Sequence, residues 1–263
     1  IENQKIIHPK EFFAFLEQFQ LHHFLLSALD CAYWDLFGKL ENKSFSGINQ
    51  LENKTLAESS ITISIAEIDE QIRKIENSFW NKFKVKCNGF NLKNTEKLLN
   101  LNRNIALDAN ASFTKEDCLF IQETSGFQKL MYIEQPLEIG NFGILKNGNS
   151  VNWMADEDCQ DITFLEKLKP YYSSINIKLM KCGGLTPALE MITEAKKLGY
   201  KIMLGCMTES SIGISAGCAI AGLLDFADLD GANLISNDYA TGSFVDNGKI
   251  ILSEKPGLGI ALL

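Results

Sequence analysis

Residues 105–110 read Ile105-Ala106-Leu107-Asp108-Ala109-Asn110, residues 131–136 read Met131-Tyr132-Ile133-Glu134-Gln135-Pro136, and residues 153–158 read Trp153-Met154-Ala155-Asp156-Glu157-Asp158. Each is a short apolar run that stops on an acid, and the three are evenly spaced. A run of this length and composition is a buried strand, and strands buried on both faces belong to parallel sheets.

Working outward, the same rhythm occupies most of the chain. Apolar or β-branched runs fall at residues 61–65, 83–87, 105–108, 131–134, 151–156, 175–179, 202–206 and 226–230. Segments of helical periodicity lie between them, clearest at 67–79, 114–127, 187–198 and 211–224. Eight strands alternating with seven helical connections predict an α/β fold, and eight is the number that closes a barrel. An open doubly wound sheet is the weaker alternative, because no glycine-rich phosphate loop follows the first strand. The expected division is a helical part over 1–58 and a (β/α)7β barrel of TIM type over 59–263. Residues 9–40 read as two helices, with Gly38 starting the end of the second, and 41–59 read as irregular. No closing helix is evident after Asp230.

Composition removes several classes of function. Among 263 residues, 33 acidic side chains against 25 basic give a net charge of −8, which argues against nucleic-acid or anionic-membrane partners. The longest apolar or glycine run, residues 218–224, is far short of a bilayer span. The only histidines are His8, His22 and His23, so beyond residue 23 no Ser-His-Asp or Cys-His pair and no histidine base can be built. Seven cysteines, none in a C-x-x-C spacing and with no signal segment, read as reduced thiols of a cytoplasmic protein.

Chemistry must then come from the strand ends, which a parallel barrel gathers at one mouth. Asp108, Glu134 and Asp156 stand on three adjacent strands. Three carboxylates in one desolvated mouth repel unless a cation neutralises them, and all-oxygen ligation suits Mg²⁺. Lys86 and Lys178 stand on the second and sixth strands, diametrically opposite in an eight-stranded ring. Lys84 points the same way as Lys86 and is expected to tune it electrostatically. Lys181 falls on another face and reads as a loop residue. Asp228 and Asp230 share a face of the last strand, as a second metal site, a salt-bridge partner or a grip for a cationic substrate group.

In this order the motifs resemble the enolase superfamily, in its muconate-lactonizing-enzyme subgroup with two opposed lysines, over residues 27–260. The helical text Ala28-Leu29-Asp30-Cys31-Ala32-Tyr33-Trp34-Asp35-Leu36 resembles the helix before the barrel. The resemblance implies Asp108, Glu134 and Asp156 as Mg²⁺ ligands and Lys86 and Lys178 as the acid/base pair, with Lys84 beside them. Asn176-Ile177-Lys178-Leu179-Met180-Lys181-Cys182-Gly183-Gly184, the run from Gly205 to Gly213, and Asp228-Leu229-Asp230 are similar to dipeptide epimerases of the L-Ala-D/L-Glu type. That likeness implies a small dipeptide substrate whose α-ammonium Asp228 and Asp230 grip, with Asn110, Cys206 and Met207 also facing it. It implies a 1,1-proton transfer at the α-carbon of the C-terminal residue. A muconate-type cycloisomerase or an o-succinylbenzoate synthase uses the same framework. A non-catalytic remnant is a further alternative, because the strands and mobile loop of the family's capping domain are not evident in the first 60 or so residues. Apolar helices near the N-terminus leave a homo-oligomeric contact open.

Overall fold

The computed structural model describes residues 6–148 and 151–263, so the first five residues of the expected helical part lie outside it. Eight strands form one parallel sheet in chain order: β1 (Ile61–Ile63), β2 (Lys82–Lys86), β3 (Asn104–Asp108), β4 (Ile133–Glu134), β5 (Trp153–Ala155), β6 (Ser174–Ile177), β7 (Lys201–Gly205) and β8 (Phe226–Asp228). The ring closes where Ser59 bridges Ala227 in parallel and the Ser60 amide donates to the Ala227 carbonyl at 2.8 Å. The expected (β/α)7β barrel is the fold.

Three helices precede the barrel: α1 (Pro9–Glu17), α2 (His23–Leu40) and α3 (Phe45–Ile48). The barrel helices are α4 (Ile68–Glu76), α5 (Leu92–Leu99), α6 (Lys115–Glu123), α7 (Leu165–Leu168), α8 (Leu179–Cys182), α9 (Leu185–Lys197) and α10 (Ser211–Ala219). The tail pairs β9 (Ala240–Thr241) with β12 (Ala261–Leu262), and β10 (Phe244–Asp246) forms a hairpin with β11 (Lys249–Ile251).

Three expectations are corrected. The link from β4 to β5 has only one short 3₁₀ turn, Phe142–Ile144, in place of a helix. Helix α2 runs through Gly38 to Leu40, since Gly38 packs against the Gly257 backbone and is not a terminator. Residues 41–59 are not wholly irregular: α3 lies there, with Phe45 buried edge-on against Trp34 at 4.9 Å between ring centroids. Trp34 and Phe45 belong to the same apolar core as the barrel.

Alternation along each strand positions the site. Outward residues, among them Phe83, Val85, Ile105, Leu107, Ile133, Trp153, Ile175, Ile177, Ile202 and Leu204, are buried beneath the helices. Inward, Ala106, Tyr132, Met154 and Met203, with Phe226 against them, make an apolar floor. Two positions further on, the same face presents Asp108, Glu134, Asp156, Gly205 and Asp228. The acids therefore rise directly from a water-excluding floor at the carboxyl end of the sheet.

Candidate active site

Register sets neighbouring acids at one level: Lys86 pairs with Asp108, and Asp108 with Glu134. Asp156 follows β5 by one residue, and Lys178 follows β6 by one residue at the start of α8. Lys86 Nζ donates to Asp108 Oδ2 at 3.0 Å and to Asn110 Oδ1 at 2.8 Å. Lys178 Nζ donates to Asp156 Oδ2 at 2.8 Å. The two lysines thus hold opposite ends of a carboxylate row whose middle member is Glu134.

Lys84 lies deeper, 5% exposed, with Nζ 3.6 Å from Asp108 Oδ2 and 3.5 Å from Glu134 Oε2, and it ion-pairs with Asp228. Burial works against its charge, but Asp228, then Glu134 and Asp108, outweigh it and hold the ammonium well above the ordinary lysine range. Its charge is therefore shared among three carboxylates beneath the row. Asp228 also accepts from Ser60 Oγ at 3.1 Å. Asp230, just beyond β8, accepts the Thr62 amide at 2.7 Å, and Cys206 Sγ lies 4.0 Å from its other oxygen. Burial and the neighbouring Asp228 raise its carboxyl above the usual range. Met207 is half exposed beside it on the β7–α10 loop.

Three residues were not assigned to the site from the sequence. Lys181 is not in a loop but on α8, where one further helical turn returns it to the site. Its Nζ donates to the Asp156 carbonyl at 2.8 Å and ion-pairs with Asp156 Oδ1. Burial pushes Asp156 up, but Lys181 and Lys178 override it and hold the carboxyl down at about 2. Gln135, fully buried, accepts the Asp156 and Asp158 amides at 3.1 Å each and donates to Asp158 Oδ2 at 2.9 Å. It fixes the backbone that presents Asp156. Asn176 Nδ2 donates to Glu134 Oε1 at 2.6 Å. Asn176 lies two residues before Lys178, so strand alternation alone puts it on the same face.

The donors suit a hard divalent cation. Asp108, Glu134 and Asp156 are each no more than 2% exposed, and Glu134 Oε2 is buried without a hydrogen-bond partner. An open carboxylate oxygen in a dry site is what a cation would satisfy. Among the described residues no three acidic, histidine or cysteine side chains already stand as a cage, and Lys84, Lys86 and Lys178 ion-pair with the row.

The chain matches the family model described as Enolase C-terminal domain-like over residues 67–263. It is 35% identical to an L-Ala-D/L-amino acid epimerase of Maribacter sp., across 100% of this chain and 80% of that protein. A crystal structure of a dipeptide epimerase from Methylococcus capsulatus, complexed with Mg and the dipeptide L-Arg-D-Lys, superposes with a TM-score of 0.85 at 26% identity, covering 98% of this chain and 78% of that one. The muconate lactonizing enzyme from Pseudomonas putida gives a TM-score of 0.83 at 20% identity over 98% of this chain and 78% of that one, which is a likeness of fold.

Proposed function

The chain belongs to the enolase C-terminal domain-like family and is an isomerase of the epimerase kind, and from that premise we propose that it inverts the α-carbon of the C-terminal residue of a dipeptide with Mg²⁺ as cofactor. The observation that carries the reading is the placing of Lys86 and Lys178 on opposite ends of one carboxylate row. Proton removal from one face and return to the other inverts a carbon centre, and that needs two groups on opposing walls.

Asp108, Glu134 and Asp156 would hold the ion. Bound there, Mg²⁺ would neutralise the charge that gathers on the substrate carboxylate as its α-proton leaves. One lysine, uncharged, takes that proton and leaves the electron pair on the substrate. The other, as the ammonium, gives a proton to the opposite face. Burial works against the charge of Lys178, but Asp156 and then Glu134 raise it. Exchange of the two protonation states runs the reaction in reverse. The apolar floor of Ala106, Tyr132, Met154 and Met203 keeps water from below.

Asp230 supports an ammonium-bearing substrate over muconate. Among the described residues it has no ion-pair partner, while Asp228 has Lys84. An anionic substrate without an amine would meet that carboxylate uncompensated.

The test is α-deuterium incorporation in D₂O with Mg²⁺, followed by NMR over dipeptides with small, acidic, apolar and basic C-terminal residues. Label entering both epimers, from either starting configuration, is the expected outcome. Lactonisation or dehydration of a matched acid, with no dipeptide exchange, overturns the reading.

A further inference from the structure

We propose that Asn176 is a positioning residue that sets the carboxylate of Glu134, and that residue 205 is glycine to leave Asn176 the room to do so. The inference rests on Glu134 being an Mg²⁺ ligand.

Asn176 is fully buried on the inward face of β6, and its Nδ2 donates to Glu134 Oε1 at 2.6 Å. A carboxylate only accepts, so this contact fixes which end of the amide faces it. The other end, Asn176 Oδ1, is buried with no hydrogen-bond partner. An amide kept for its own packing would satisfy both ends, so this one is retained for what it does to Glu134. The next strand explains how it is held. A Cβ at Gly205 would lie 2.6 Å from Asn176 Oδ1 and 2.7 Å from Nδ2, closer than real contacts allow. The amide therefore occupies the space that any side chain at 205 would need.

With Oε1 engaged, Oε2 is the oxygen left over, 3.5 Å from Lys84 Nζ and without a hydrogen bond. Asn176 thereby selects the oxygen that is free to meet a cation. It is also neutral, so replacing it changes no charge at the site, and any change in cation affinity reports orientation.

The experiment measures Mg²⁺ affinity by isothermal titration calorimetry for the wild type, Asn176→Leu, Asn176→Ala, Gly205→Ala and the Asn176→Ala/Gly205→Ala double variant, with melting temperatures taken in chelator. Partners of this kind are worth about 10- to 100-fold in metal affinity, so each single variant should bind Mg²⁺ at least about tenfold more weakly. The double variant should bind no more weakly than Asn176→Ala, since a methyl at 205 has nothing to strike once the amide is gone. Should Gly205→Ala not fold, the near-isosteric Asn176→Leu carries the test alone. Wild-type binding with Asn176→Leu unchanged within twofold overturns the inference and leaves Glu134 a ligand. A double variant whose loss is the product of the single losses overturns the link through Gly205. A wild type that binds no Mg²⁺ overturns the ligand assignment beneath both.

Discussion

Lys86 and Lys178 touch different carboxylates, so each should fail on its own side of the substrate. Lys86→Met and Lys178→Met are each expected to cut epimerisation by about 10³-fold or more, within the range for losing a general acid/base. Each should still exchange the α-proton of one epimer with solvent, and the two variants should spare opposite epimers. NMR of separate L- and D-epimer incubations in D₂O checks this, and equal loss of exchange from both epimers in both variants counts against the two-wall arrangement. Lys84 is expected to act on stability. Its removal would leave Asp228, Glu134 and Asp108 facing each other without their shared cation. Breaking a buried pair in this way costs about 3–5 kcal/mol, so Lys84→Met should lower the urea-unfolding free energy by that amount. Adding Asp228→Asn should recover part of it, because one of the stranded charges is then gone.

Helix α2 docks on the barrel through one polar chain. Trp34 Nε1 donates to Thr186 Oγ1 at 2.9 Å, that hydroxyl donates to Asp30 Oδ1 at 2.7 Å, and the Thr186 amide donates to Asp30 Oδ2 at 2.8 Å. Asp30 thus caps α9 from another element. The residue at the cap itself, Gly184, has φ +128 and could carry no side chain, since a Cβ there would lie 2.5 Å from Asp30 Oδ2. Burial pushes the Asp30 carboxyl up from 3.8 to about 6. A carboxyl raised on folding favours the protonated folded state, so its contribution is full below about pH 3.8 and is lost as pH rises through 6. The stability of the wild type relative to Asp30→Asn should therefore fall by about 2 kcal/mol between pH 4 and 7, read by denaturant unfolding at a series of pH values. At this scale the sequence is legible only in part. The helical spacing over 25–37 announces α2 but not its buried face: Leu25 and Leu36 are exposed while Leu26, Asp30 and Trp34 are buried, and Asp30 meets Thr186 156 positions away, which no local pattern encodes. Helix α5 is the less legible of the connections because its opening text, Leu92-Lys93-Asn94-Thr95, has few apolar residues. Its start is marked by Asn91, whose side chain accepts the Asn94 amide at 3.0 Å.

Over the whole molecule, the barrel and its mouth were readable because one rule generates both. Parallel strands put every carboxyl end on one side, and alternation puts Asp108, Glu134, Asp156 and Asp228 on one face. Which lysine serves which acid was not readable. That Lys84 reaches past β1 to Asp228, and that Lys181 returns to Asp156, depends on strand stagger and on a helical turn after β6. The same convergence makes the site a coupled unit whose occupancy should be felt by the entire fold. A ligand that binds only the folded chain stabilises it by about 2.7 kcal/mol at 100 times its dissociation constant. For a protein of this size each kcal/mol moves the melting temperature by about 2–4 °C, so saturating Mg²⁺ should raise it by about 5–10 °C over chelator-treated protein. Asp156→Asn should abolish most of that rise. Its own melting temperature in chelator will also change, because Lys178 and Lys181 lose their shared acid, so the quantity to compare is the Mg²⁺-induced shift within each protein. A wild type whose melting temperature ignores Mg²⁺, or an Asp156→Asn variant that responds in full, removes Asp156 from the ion's shell and with it the carboxylate row as the seat of the chemistry.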